Sequence, residues 1–266
     1  MRTWPSSSAT LTLWVKRTGS QRQGLPVAHP QKQCCWTTSS PLKKGQARRV
    51  CPGILMVHQP GEPLPLSAPD APLLAFETSG RFFSAALWGP RGLIVEKRVL
   101  DGARHGVALA PVTQELLGLA KCGVKDLSAV AVSLGPGSWT GLRIGLAAAK
   151  AMAWGAGLAL AGVPSLEALA LTALRAHPAS PQRLVLTVRH AFAEGLYAAL
   201  WRETSGPPQR LLDECVLRPD RLARAVGQAL EQGGVPGAPV ALCGDAVCLQ
   251  AVESPAAAEG WEVLAD

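Results

Sequence analysis

Residues 129–153 read AVAVSLGPGSWTGLRIGLAAAKAMA. The run Ala129 to Leu134 is short, apolar and rich in valine, which suits a buried strand. Gly135-Pro136-Gly137 breaks it, and Ser138 or Thr140 is placed to cap a helix that begins near Gly141. The unit is therefore strand, glycine-rich turn, helix. Along the helix Gly141, Gly145, Ala149 and Ala153 recur at every fourth position and form one stripe of small residues. A glycine inside a helix costs about 1 kcal/mol relative to alanine, so two on one face point to a close approach that compensates. Two neighbours satisfy the stripe: the helix's own sheet, or a helix of another subunit.

The run GPGSWTGLRIG, 135–145, resembles the signature GPGSFTGLRIG of the TsaB (YeaZ) family, with Trp139 in place of phenylalanine. The likeness extends in order from Leu73 to about Asp266 and is weakest toward the end. It implies a non-catalytic scaffold or activator subunit in the synthesis of threonylcarbamoyladenosine, next to the anticodon of tRNA. The implied partner is a TsaD-like catalytic subunit that holds the metal and ATP, with a TsaE-like ATPase beside it and tRNA reached through the complex. The resemblance implies pairing through the helix 141–153 and the helix 107–122 before it. On that reading the contact residues are Gly141, Leu142, Gly145, Leu146, Ala149, Met152 and Ala153, with Leu109, Val112 and Leu116. The small stripe would carry the contact, so Gly145→Leu would abolish pairing and leave the lobe folded.

A net charge of +7 hints at nucleic acid, but its distribution removes the hint from the folded part. Residues 1–72 carry nine Lys/Arg and two Asp/Glu, whereas residues 73–266 carry 17 of each sign. The first 72 residues lack sustained periodicity and are broken by Pro, Ser, Gly and Gln. They read as a basic, disordered extension, the product of a gene start placed too far upstream, with a basic arm that touches RNA as the alternative. No secretory h-region marks them. Cys34, Cys35 and Cys51 lack paired C-x-x-C spacing, and Cys122, Cys215, Cys243 and Cys248 are scattered, as for reduced thiols of a cytoplasmic protein. No run reaches the ~20 apolar residues that cross a bilayer.

From Leu73 the chain reads as three strands ending near Phe76, Trp88 and Leu100, a helix from Val107 to Cys122, and the strand–helix unit above. A strand from Leu158 to Val163 and a helix from Leu166 to Arg175 follow. The order is that of an α/β, RNase H-like lobe of the actin-like (ASKHA) class, and the resemblance implies two such lobes. The first spans 73–176, and the loop at 177–181 is the seam. The second, 182–266, reads as shortened, because the family continues through a further helix and a P-x-Y-L-R segment. Its predicted elements are strands from Arg183, Leu196 and Val240 and helices from Arg221 and Ala246.

In actin-like ATPases the turn after the first strand carries an acid that positions magnesium. Here that turn is Glu77-Thr78-Ser79, where the family has D-T-S. A second loop would offer an Asp where this chain has His190, within Val188 to Tyr197. Glu77, Thr78, Ser79, Gly135, Gly137, Ser138 and His190 thus read as degenerate nucleotide-binding loops. Gly135-Pro136-Gly137 lacks the lysine of a P-loop, and Ser138 does not sit in G-x-S-x-G. His105 has no second histidine at i+4, which leaves no metal site and no catalytic residue. A weak ATPase, a peptidase-like enzyme and a self-associating homodimer remain as alternatives.

Overall fold

The computed structural model describes residues 55–57, 71–99, 105–176, 183–191 and 195–264. Strands β2 (Leu73–Glu77), β3 (Phe83–Gly89) and β4 (Gly92–Val99) form an antiparallel meander. Helix α1 (His105–Leu119) leads to β5 (Ala129–Gly135), which lies parallel to β2. Helix α2 (Trp139–Ala156) returns the chain to β6 (Ala159–Pro164), and α3 (Ser165–Ala176) follows. A three-residue strand, β1 (Leu55–Val57), pairs in parallel with β6 at the sheet edge, giving the order β1-β6-β5-β2-β3-β4. The reading of 1–72 as wholly outside the fold is corrected at these three residues. Backbone pairing at a free edge needs little from the side chains, so nothing in the local pattern announces it.

The second half repeats the plan. Strands β7 (Leu184–His190), β8 (Leu196–Arg202) and β9 (Gln209–Leu217) form the meander. Then come α4 (Pro219–Gln232), β10 (Val240–Gly244), α5 (Ala246–Ala251), α6 (Glu253–Glu259) and β11 (Glu262–Leu264). The sheet order β11-β10-β7-β8-β9 matches β6-β5-β2-β3-β4 of the first sheet. The fold is the expected two-lobed actin-like one. The second lobe closes a five-stranded sheet, in which β11 stands where β6 stands in the first.

Both faces of the first sheet are covered, which is why β2 and β3 are buried along their whole length. On one face Leu74, Phe76, Phe83 and Leu87 pack against Leu109, Val112 and Leu116 of α1 and Ala149 and Ala153 of α2. On the other, Leu73, Ala75, Ala131 and Val163 meet Ala168 and Leu171 of α3. The far side of α3 presents Leu166, Ala170, Ala173 and Leu174 to Val185, Ala199, Trp201 and Leu264 of the second sheet. One helix therefore serves as the shared wall of both lobes.

Candidate functional site

The carboxyl ends of β2 and β7 meet at the joint between the lobes. Glu77 closes β2 and is 1% exposed; Thr78 and Ser79 beyond it are as deeply buried. The Glu77 carboxylate accepts hydrogen bonds from the Ser79 backbone N–H at 2.7 Å and from the Ser79 hydroxyl, both on Oε1. From the other lobe Arg189, 5% exposed, donates through Nη1 to Ser79 Oγ and lies 3.9 Å from Glu77 Oε1. Its guanidinium also lies across Gly80, where an added methyl group would sit 3.6 Å from Nη2. Among the described residues, Glu77 Oε2, Thr78 Oγ1 and Arg189 Nε are buried with no hydrogen-bond partner.

The glycine-rich turn and α2 are built around this loop. Ser138 N–H donates to the Ser79 carbonyl at 2.7 Å. A methyl group on Gly137 would lie 2.3 Å from the same oxygen, one on Gly141 2.0 Å from the Thr78 carbonyl, and one on Gly145 2.3 Å from Thr78 Oγ1. Gly137 and Gly141 are required because the chain's own backbone occupies the space a side chain would take, and Gly145 because the Thr78 side chain does. Ser138 is the N-cap of α2, its Oγ accepting from Gly141 N–H at 3.2 Å. Gly135, at φ +96°, makes the turn, and Leu142 covers it.

The small stripe thus faces inward. Gly141, Gly145, Ala149 and Ala153 are buried in their own lobe, as are Leu109, Val112 and Leu116. Leu142, Leu146 and Met152 are half-buried. The stripe and the three α1 residues are corrected as a partner surface, whereas Leu142, Leu146 and Met152 keep part of their surface in solvent. Gly145→Leu would drive into Thr78 rather than leave the lobe intact. The physical reason is that a stripe shows how near a neighbour comes but not which neighbour it is. What α2 turns outward is a different ridge: Trp139 (66% exposed), Arg143, Lys150 and Trp154 (74% exposed), spaced to share one side of the helix. The Arg143 guanidinium lies 5.8 Å from the centre of the Trp139 ring, a cation–π distance. Helix α1 runs beside α2, with Gly106 in reach of Ile144, and exposes Val107 and Leu119.

A family model described as "TsaD: tRNA N6-adenosine threonylcarbamoyltransferase" matches residues 100–237, about half of the chain. The "tRNA threonylcarbamoyladenosine biosynthesis protein TsaB" of Escherichia coli is 31% identical over 148 residues, 56% of this chain and 63% of that protein. The chain belongs to this family, on its TsaB (YeaZ) branch. The Bacillus subtilis TsaB is 37% identical over 98 residues, 37% of this chain and 43% of that protein. The chain thus spans less than two thirds of the curated TsaB proteins it matches. A solved structure described as similar to peptidase YeaZ, from Pseudomonas aeruginosa, superposes with a TM-score of 0.53 at 25% identity. It covers 71% of this chain and 93% of that one. YeaZ from the same organism gives 0.50 at 26% identity, over 57% and 70%.

Against the nucleotide sites of actin-like folds, the TsaB-type joint here has the wrong donor set. Magnesium takes about six oxygen ligands in a near-ideal octahedron. What faces Glu77 is a guanidinium, which offers N–H donors and no acceptor. As placed, Arg189 holds a positive charge 3.9 Å from the Glu77 oxygen that a cation would approach. His190 is not brought to Glu77's loop by any described contact; it lines a cavity of about 510 Å³ in the second lobe with Leu196, Arg218, Asp220, Val247 and Cys248. His105 opens α1, and its side chain lies outside the described residues, as do Cys34, Cys35, Cys51 and the seam at 177–181. No described helix is long and apolar enough to cross a membrane.

Arg189 is the residue the sequence did not bring forward. A signal was present: an arginine directly after the apolar run Leu184 to Val188 sits where a strand is buried and must find a counter-charge. Its counter-charge, Glu77, closes the first strand of the other lobe.

Proposed function

We propose that this chain is a non-catalytic docking subunit in the cytoplasmic synthesis of threonylcarbamoyladenosine on tRNA, and that it pairs with a TsaD-like catalytic subunit through the outward face of α1 and α2. The observation that carries the reading is the exposed ridge of α2, with Trp139 and Trp154 two-thirds or more in solvent on a helix that has no acidic residue. Exposed tryptophans flanking Arg143 and Lys150 have the composition of interface hot spots. They suit a partner with an apolar groove rimmed by acids. Metal and ATP belong to that partner, tRNA is met through the complex, and a TsaE-like ATPase joins it.

Two features weigh against an enzyme. The Glu77 carboxylate is covered by Arg189, and the Ser138 hydroxyl is engaged as a helix cap. Neither is set up as a metal ligand or a nucleophile. The names of the curated relatives, biosynthesis proteins rather than transferases, agree with an accessory role.

The test is co-purification of the full chain with the TsaD-like subunit of the same genome, read by size-exclusion chromatography with mass detection. A one-to-one complex is expected, and Trp154→Glu should dissolve it without lowering the melting temperature, because that side chain is exposed. A homodimer indifferent to the other subunit, or a complex that survives Trp154→Glu, would overturn the proposal.

A further inference from the structure

We propose that Arg189 is an internal counter-cation: delivered by the second lobe, its guanidinium takes the cation's place at Glu77 and latches the two lobes together without any ligand. Two-lobed folds of this class open and close about a cleft, and the natural closing agent is something that binds both sides at once. In this chain that agent is covalently part of β7. Arg189 reaches across to Ser79 Oγ, and Ser79 passes the contact on by donating its own hydroxyl proton to Glu77 Oε1. Ser79 is also tied to the turn before α2, since its carbonyl accepts from Ser138 N–H. One guanidinium is therefore coupled to β2, to the glycine-rich turn and to α2.

The burial of the three groups decides how strongly the latch holds. Glu77, Ser79 and Arg189 are each at least 95% buried, so opening the joint would expose a charge pair that water can solvate, while closing it demands that both charges arrive together. Among the described residues Glu77 has no ion-pair partner besides Arg189. Thr78 N–H is held by Ser133 Oγ at 3.3 Å, which keeps the loop from swinging out to find one. The latch is single-valued: one arginine and one carboxylate, with the serine between them. None of the latch groups lies on the outward ridge of Trp139, Arg143, Lys150 and Trp154, so a failed pairing experiment leaves it standing.

Hydrogen exchange read by mass spectrometry on the full chain tests this. Wild-type peptides covering 77–80 and 186–190 should exchange slowly, at a rate unchanged by magnesium and ATP. In Glu77→Gln/Arg189→Met, which removes both charges and keeps the volume, the same two peptides should exchange roughly ten- to a hundredfold faster. Peptides from β5 and β10 should not change. Arg189→Met alone, where it folds, should show at least the same loss, and where it does not fold the double variant gives the reading. Wild-type exchange that slows on addition of magnesium and ATP would overturn the latch. So would a double variant that keeps wild-type protection at both peptides.

Discussion

Gly141 sits where a methyl group would land 2.0 Å from the Thr78 carbonyl oxygen, whereas Gly155, on the same helix, has nothing within 4 Å of that position. The two glycines should therefore respond to alanine with opposite signs. Gly141→Ala gains about 1 kcal/mol of helix propensity but overpacks against backbone that cannot rotate away, for a net loss of about 1–2 kcal/mol. Gly155→Ala has only the gain, about 0.5–1 kcal/mol. Urea unfolding of the two variants checks both. The stripe's existence was legible in 141–153; its direction was not, because Thr78 lies far upstream and only the fold brings it there. Cys248 gives a second test at this scale. Burial, with a smaller push from Asp245 and a small opposing pull from Arg189, raises its thiol to about 12, against an ordinary value of 9.0. The folded state holds that proton more tightly than the unfolded one. Its contribution is intact below pH 9 and is lost as pH rises toward about 12. Cys248→Ser should flatten the alkaline fall in stability, measured as melting temperature against pH.

Helix α3 is the element on which both cores lean. Leu166 is fully buried on its second-lobe side and Leu171 is 2% exposed on the first. Truncating either to alanine removes a core side chain whose cavity cannot collapse between two sheets, a loss of about 2–5 kcal/mol each. Both variants should unfold in a single transition monitored at tryptophan and in the far ultraviolet, since the wall is common. Two separate transitions would mean that the lobes melt independently. Helices α2 and α4 were readable because each buries one stripe and exposes another, and α3 because its apolar residues run nearly all round, as a wall between two sheets requires. Strand β9 was not, since Asp213 and Glu214 interrupt it and an edge strand is held by pairing with β8 more than by its own side chains. The three-residue β11 and the seven-residue α6 are too short for either period to register.

For the whole molecule, charge and fold are segregated along the chain. Residues 1–54 hold nine Lys/Arg and no Asp/Glu, and residues 55–266 hold 17 basic and 19 acidic side chains. Any affinity of the full chain for tRNA that falls with salt should vanish when residues 1–54 are removed, because the slope counts phosphates neutralised by basic groups. A filter-binding titration across salt concentrations would show it, and the cut leaves β1 in place. The duplicated topology was legible from the order of strands and helices, but the joint was not, since Glu77 and Arg189 are brought together only when the two repeats face each other. The shared wall also has a consequence for synthesis on the ribosome. Once Ala176 has emerged, the first sheet has all its strands, yet Leu166, Ala170, Ala173 and Leu174 must wait for β7, β8, β10 and β11 before anything covers them. At about 5–20 residues per second the wait lasts roughly 5–20 s. For that interval the nascent chain carries a sticky helix face that chaperones can hold and neighbouring chains can capture. The first lobe is thus the stage at which translation pauses or crowding on a polysome would cost the cell most of its yield.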